Sequence, residues 1–107
     1  FMKFQDQVPS MEEIKAEWAS FRGRAQELEL PSAPRQFLHY FEENDRPQTR
    51  LDRMLERGMA VSLGRLREDT QYDYKFVGLS HNTLRGAAGG AVLLAELLCA
   101  NGYIQQV

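Results

Sequence analysis

Apolar residues recur at spacings of three and four through Met11, Ile14, Trp18 and Phe21, which predicts a helix carrying these four side chains inward. Its start is marked by Pro9 and Ser10, with Glu13 placed to complete a capping box, and Gly23 lies where it would end. Leu28, Leu30 and the run Pro31-Ser32-Ala33-Pro34 then read as an extended or irregular connection. The short aromatic-rich stretch from Gln36 to Phe41 predicts a strand, followed by a polar segment, Glu42 to Arg57, whose half from Leu51 to Glu56 predicts a helical turn. From Met59 to Arg67 the chain alternates: Met59, Val61 and Leu63 share one face, Ala60, Ser62 and Gly64 the other. Side chains as small as those would let another element come close. Tyr72 to Ser80 predicts a further strand, pairing antiparallel with the previous one. Thr83 to Ala100 predicts a nearly all-apolar helix closed by Asn101-Gly102.

The first residues, Phe1 to Asp6, alternate as the later part of a strand would, with Met2 and Phe4 on one face and Lys3 and Gln5 on the other. Chains rarely begin in that manner, and we expect more polypeptide upstream. The pattern as a whole predicts an α+β fold, with about four strands in an antiparallel or mixed sheet and a helix near each end. No internal repeat, low-complexity tract or linker interrupts it.

Composition narrows the function classes. The chain has 107 residues, 43% hydrophobic and 26% charged, the balance of a globular domain, and its net charge of -2 offers no basic field for nucleic acid. One cysteine, Cys99, excludes an intrachain disulfide and fits a reducing compartment. No run approaches the roughly 18 apolar residues of a membrane span. No group of His, Cys, Asp and Glu has metal-ligand spacing. Arg50, Arg53 and Arg57, interleaved with Asp52 and Glu56, read as a solvated or interface ion-pair face. Arg65 and Arg67 are expected on one side of their strand, able to meet acids across a dimer contact.

The segment Leu79 to Val92 asks for a physical reason. Gly86, Gly89 and Gly90 each cost a helix ~1 kcal/mol relative to alanine. Gly86 and Gly90 form one smooth stripe, and Ala87, Ala91 and Ala95 an adjoining one, shaped either for tight packing in a core or for close approach to another backbone or a flat ligand. Asn82 or Thr83 is placed to cap this helix, leaving the other free to reach outward. Arg85 lies in the first turn, where the helix dipole disfavours a cation unless it meets an anion or solvent.

The run Asp73 to Gly89, DYKFVGLSHNTLRGAAG, resembles the C-terminal signature of aspartate-semialdehyde dehydrogenases of the archaeal and fungal type. Arg46 to Arg53 (RPQTRLDR) and Val61 to Arg67 (VSLGRLR) resemble the segments preceding it in that family. Ser32-Ala33-Pro34, Ala95-Glu96-Leu97-Leu98 and Gly102-Tyr103-Ile104 also match, so the likeness is strongest from Pro31 to Ile104.

The resemblance implies a cytoplasmic enzyme that reduces aspartyl phosphate to aspartate semialdehyde with NADPH, releasing phosphate, in lysine, threonine and methionine biosynthesis. Residues 1–80 would belong to its substrate-binding and dimerisation domain. Residues 81–107 would form a terminal helix returning to a Rossmann cofactor domain, in a homodimer or dimer of dimers. By the same likeness Asn82 is the asparagine near the nicotinamide carboxamide of NADP. The family also needs a cysteine thiolate and a histidine acid/base. Cys99, expected as a buried and inert thiol with a raised pKa near the end of an apolar helix, and His39 and His81 do not fill those roles. No catalytic residue is therefore assigned, and the chain alone is expected to be inactive. A malonyl-CoA reductase of the same family, or a non-catalytic dimerisation module, are the alternative readings. Without a cofactor domain against it, the terminal helix is expected to leave an apolar side uncovered, leading to self-association or to displacement of the helix.

Overall fold

A computed structural model describes residues 1–105; Gln106 and Val107, which the expected terminal segment included, lie outside the described residues. In order, the elements are α1 (Met11–Ser20), α2 (Arg24–Glu27), β1 (Leu38–Phe41), α3 (Thr49–Asp52), β2 (Val61–Glu68), β3 (Tyr74–Leu79), a π-helical turn (Leu84–Ala88) and α4 (Gly89–Ala100). β2 is the central strand. It pairs parallel with β1, Leu38 opposite Val61 to Phe41 opposite Gly64, and antiparallel with β3. The fold is α+β with a mixed sheet, as the sequence pattern predicts. The parallel pairing is possible because the polar segment containing α3 supplies the long crossover that such a pair requires.

Among the described residues three strands form where about four were expected. The first residues make one bridge, Met2 to Tyr74, and stop. Two residues on, the Phe4 N–H is taken by the Asp73 carboxylate at 2.7 Å, which diverts it from a continued ladder. Met2 and Phe4 nonetheless share a face and pack together on the core.

α1 forms as its pattern dictates. Ser10 Oγ accepts from Glu13 N and the Glu13 carboxylate accepts from Ser10 N, which completes the capping box. Ile14 is buried, with Met11 and Trp18 beside it. Phe21 is a correction: the helix has already left helical geometry there (ψ 126°), so its ring is 45% exposed, resting on Phe37 at 5.9 Å. Gly23 opens α2 rather than closing α1, and Gln26 Oε1 accepts its N–H.

The small-residue face of β2 does receive a close neighbour. A Cβ on Gly64 would stand 2.8 Å from Pro47 Cδ, so only glycine lets the Arg46–Pro47 segment lie across the strand. Beyond Gly64 the alternation breaks. Gly64 faces Val77 but Arg67 faces Lys75, so β2 holds an extra residue, and Arg65 takes φ 56°. This bulge sends Leu66 into the core with Ile14 and Tyr74, between an exposed Arg65 and a half-buried Arg67. Arg67 Nη1 donates to the Arg65 carbonyl at 2.6 Å, which is an arrangement the simple alternation did not predict.

The described residues form two small cores. The first gathers Ile14, Leu66 and Tyr74 under α1; the second joins Leu30, Met59 and Leu93 beneath α4. The radius of gyration, 16.0 Å, exceeds the ~13 Å of a compact domain this long. No helix among the described residues is long and apolar enough to cross a membrane.

Candidate functional site

The sequence singled out residues 79–92, and the structure explains their composition in parts. Leu84–Ala88 is a single π turn, wider than an α turn, with Ala88 N donating to the Thr83 carbonyl at 2.8 Å. A Cβ on Gly89 would lie 2.8 Å from Leu84 O and 2.5 Å from Met59 Sδ; one on Gly90 would lie 2.6 Å from Arg85 O. Both glycines are therefore demanded by the turn itself and by the buried Met59 beneath it. Gly86 is different. Its Cβ would meet nothing nearer than His81 O at 3.8 Å, and Gly86, Ala87, Ala88 and Ala91 are all exposed.

The cap of this helical segment comes from neither expected residue. Thr83 makes no side-chain cap, and Asn82 makes none either. His81 does the work: its Nδ1 accepts the backbone N–H of Thr83 at 3.2 Å and of Leu84 at 3.0 Å. An imidazole nitrogen can accept only when it carries no proton, so the proton of His81 sits on Nε2. The side chain thus satisfies the same orphan donors that an Asn or Ser cap would. Histidine is not among the favoured capping residues, which is why the sequence did not reveal it.

Asn82 is released as a result. It is exposed, and its Oδ1 accepts from the Thr83 hydroxyl at 3.2 Å, a bond that leaves the amide NH₂ unused. Asn82 and His81 line a cleft of about 510 Å³ with Leu79 and Ser80 from the end of β3, and with Thr49, Arg53 and Met54 from the α3 region. Arg85 meets neither an anion nor open solvent. Its guanidinium stacks 4.4 Å from the Phe37 ring centroid, Nη1 is buried without a hydrogen-bond partner, and burial pushes its pKa below the usual arginine range.

The floor of the α3 region rests on a buried carboxylate. Asp52 is 3% exposed and receives a two-pronged ion pair from Arg46, together with Gln48 N–H at 2.7 Å. The Arg46 hydrogen bonds hold its carboxyl below the ordinary aspartate range; burial opposes this and the Gln48 N–H adds to it. Glu56 is likewise occupied. Burial pushes its carboxyl up, but the backbone N–H groups of Gln36 and Arg35, each at 2.9 Å, and the His39 ring bring it below the usual value. Neither acid pairs with Arg50, Arg53 or Arg57 within the chain, and these three arginines stand exposed, as a solvated face would have them. Arg57 instead donates to the Pro31 carbonyl, and His39 is a structural tie between Glu56 and the Gln36 carbonyl.

α4 stays docked through Leu93, with Leu97 beside it. The Glu96 carboxylate accepts from Ser32 N at 2.9 Å and Ser32 Oγ at 2.6 Å, fixing the Pro31–Pro34 connection to the helix. The opposite side is open: Val92 is 53% and Leu94 55% exposed. The expected uncovered apolar side is present, on a helix that Leu93 keeps docked. Cys99 corrects the sequence reading, because it faces outward and is exposed, beyond the part of α4 that packs. Among the described residues no metal-holding group of His, Cys, Asp and Glu assembles.

No family model matches the chain. Curated relatives do. An aspartate-semialdehyde dehydrogenase of Aspergillus fumigatus is 48% identical over 99 residues, which is 90% of this chain and 27% of the relative. A malonyl CoA reductase (NADP) of Metallosphaera sedula is 46% identical over 89 residues, 81% of this chain and 25% of the relative. Among solved structures, an aspartate semialdehyde dehydrogenase with NADP from Candida albicans superimposes with a TM-score of 0.85 at 44% identity. That likeness covers 95% of this chain and 29% of the other. The resemblance read from the sequence is borne out in sequence and in fold, and the chain spans little more than a quarter of the length of the dehydrogenases it matches.

Proposed function

We propose that this chain, a homologue of the aspartate-semialdehyde dehydrogenases, works as the part of such an enzyme that closes the cofactor site and builds the subunit contact. The reaction is the NADPH-dependent reduction of aspartyl phosphate to aspartate semialdehyde with release of phosphate. NADPH supplies the hydride. The chain's own contribution is Asn82, whose NH₂ group is exposed at the cleft and suited to donate to the carboxamide oxygen of the nicotinamide. That exposed and oriented amide is the observation that supports the reading most. Its fit is reinforced by the open Gly86–Ala87–Ala91 surface beside it, which would let a cofactor-holding domain approach the helix backbone closely. The exposed Val92 and Leu94 would be covered in the same contact, for which NADP binding and dimerisation give the natural partners.

The nucleophilic thiolate and the acid/base come, on this reading, from other parts of the enzyme. Cys99 does not line the cleft, and both histidines are engaged in structural hydrogen bonds. In the full-length polypeptide carrying this sequence, phosphate-dependent reduction of NADP by aspartate semialdehyde tests the reaction. Asn82→Ala should raise the Kd for NADPH about fivefold, the worth of one neutral hydrogen bond. Unchanged affinity in that variant would remove Asn82 from the site. Turnover of malonyl-CoA in place of aspartate semialdehyde would favour the second reading, which the 46% identity to a malonyl CoA reductase brings forward.

A further inference from the structure

We infer that His81 is a positioning residue for the cofactor, acting through Asn82, an inference that rests on the role proposed for Asn82. Three observations converge on it. The π turn receives no side-chain cap from Thr83, the residue at its N-terminus, so its leading N–H groups depend on another acceptor. His81 Nδ1 meets two of them, those of Thr83 and Leu84. The peptide carrying Asn82 lies inside the loop these bonds close, and the His81 carbonyl accepts Gly86 N–H at 3.1 Å, tying the same loop to the helix from its other side.

The physical consequence is a division of labour. A capping asparagine spends its side-chain oxygen on the helix and turns its amide inward. With His81 as the cap, Asn82 keeps its amide for the cleft, and the Thr83 hydroxyl engages its oxygen so that NH₂ is the end presented. Loss of the imidazole acceptor frees the Thr83 and Leu84 N–H groups to seek water or another partner. Asn82 then samples several orientations where it now holds one. Less of the protein is competent to bind, and the apparent affinity falls by that fraction.

The experiment uses the full-length polypeptide and measures the Kd for NADPH by its fluorescence, with amide hydrogen exchange at Thr83 and Leu84 as a second readout. His81→Leu should weaken NADPH about fivefold, equivalent to ~1 kcal/mol for a lost cap, and accelerate exchange at both amides. His81→Asn, which restores an acceptor without an imidazole, should return the Kd to within about twofold. Ser10→Ala removes a cap of similar worth from α1, away from the cleft, and should leave the Kd unaltered. NADPH binding undisturbed by His81→Leu, no recovery in His81→Asn, or an equal loss in Ser10→Ala would each overturn the inference. Nitrogen-15 spectra of the unaltered protein give a test that needs no variant: the His81 ring proton must reside on Nε2, and a proton on Nδ1 would refute the cap. If Asn82→Ala weakens NADPH while His81→Leu does not, only this inference falls. If Asn82→Ala changes nothing, the cofactor role of Asn82 falls and the inference with it.

Discussion

Gly86 and Gly89 lie three residues apart in one helical segment, and the structure predicts opposite consequences for adding a methyl group to each. Helix propensity alone makes either change to alanine favourable by ~1 kcal/mol. At Gly86 nothing opposes that gain, since the new Cβ would stand 3.8 Å from its nearest neighbour, an ordinary van der Waals distance. Gly86→Ala should therefore stabilise the chain by about 0.5–1 kcal/mol. At Gly89 the methyl would stand 2.8 Å from the Leu84 carbonyl oxygen and 2.5 Å from Met59 Sδ. Met59 is only 4% exposed, and the carbonyl belongs to the π turn, so relief requires moving backbone or repacking the second core. Overpacking of this kind costs about 1–3 kcal/mol, and the backbone contact places Gly89 in the upper half of that range. After the propensity gain is subtracted, Gly89→Ala should lose about 1–2 kcal/mol. The two variants should then differ by roughly 2 kcal/mol, or about 1 M in urea midpoint at a typical slope. Urea unfolding followed by circular dichroism, with the slope m unchanged, is the assay. Equal midpoints, or a gain in Gly89→Ala, would refute the claim that the wide turn and Met59 demand a glycine there.

Two further predictions concern the polar ties. Asp52→Asn keeps the shape but removes a buried charge from Arg46, and should cost about 3 kcal/mol, the low end for such pairs because Arg46 is partly solvated. Because the folded pKa of Asp52 is depressed, its stabilisation is complete above the unfolded value near 3.9 and is lost as pH falls through the folded one. Acid unfolding should therefore show a shallower pH dependence in Asp52→Asn, and an unaltered dependence would discount the pair. Glu96→Ala removes the acceptor of both Ser32 bonds and should cost about 2 kcal/mol; hydrogen exchange at the Ser32 amide should rise, and continued protection there would contradict the tie.

Much of the architecture was legible in the residues themselves. The Ser10–Glu13 box, the hairpin of β2 and β3, the helix ending at Asn101-Gly102 and the small face of β2 all follow from local rules, because each depends on neighbours within a few positions. The aligned motifs likewise sufficed to identify the relatives. Several of the corrections share one cause. Asp73 diverting Phe4 and Phe37 covering Arg85 are contacts between residues distant in the chain, and the bulge turning Leu66 inward is a one-residue slip that pairing alone creates.

The candidate site divides along the same line. That Asn82 stands where a strand meets a glycine-rich helix was written in the sequence. That His81 does the capping, Gly89 and Gly90 serve the turn, and Gly86 alone is left over was decided by the three-dimensional path of the π turn above Met59. A linear pattern specifies which side chains are available. Which of them a helix end consumes, and which it releases to a cleft, depends on distances that exist only once the backbone has closed.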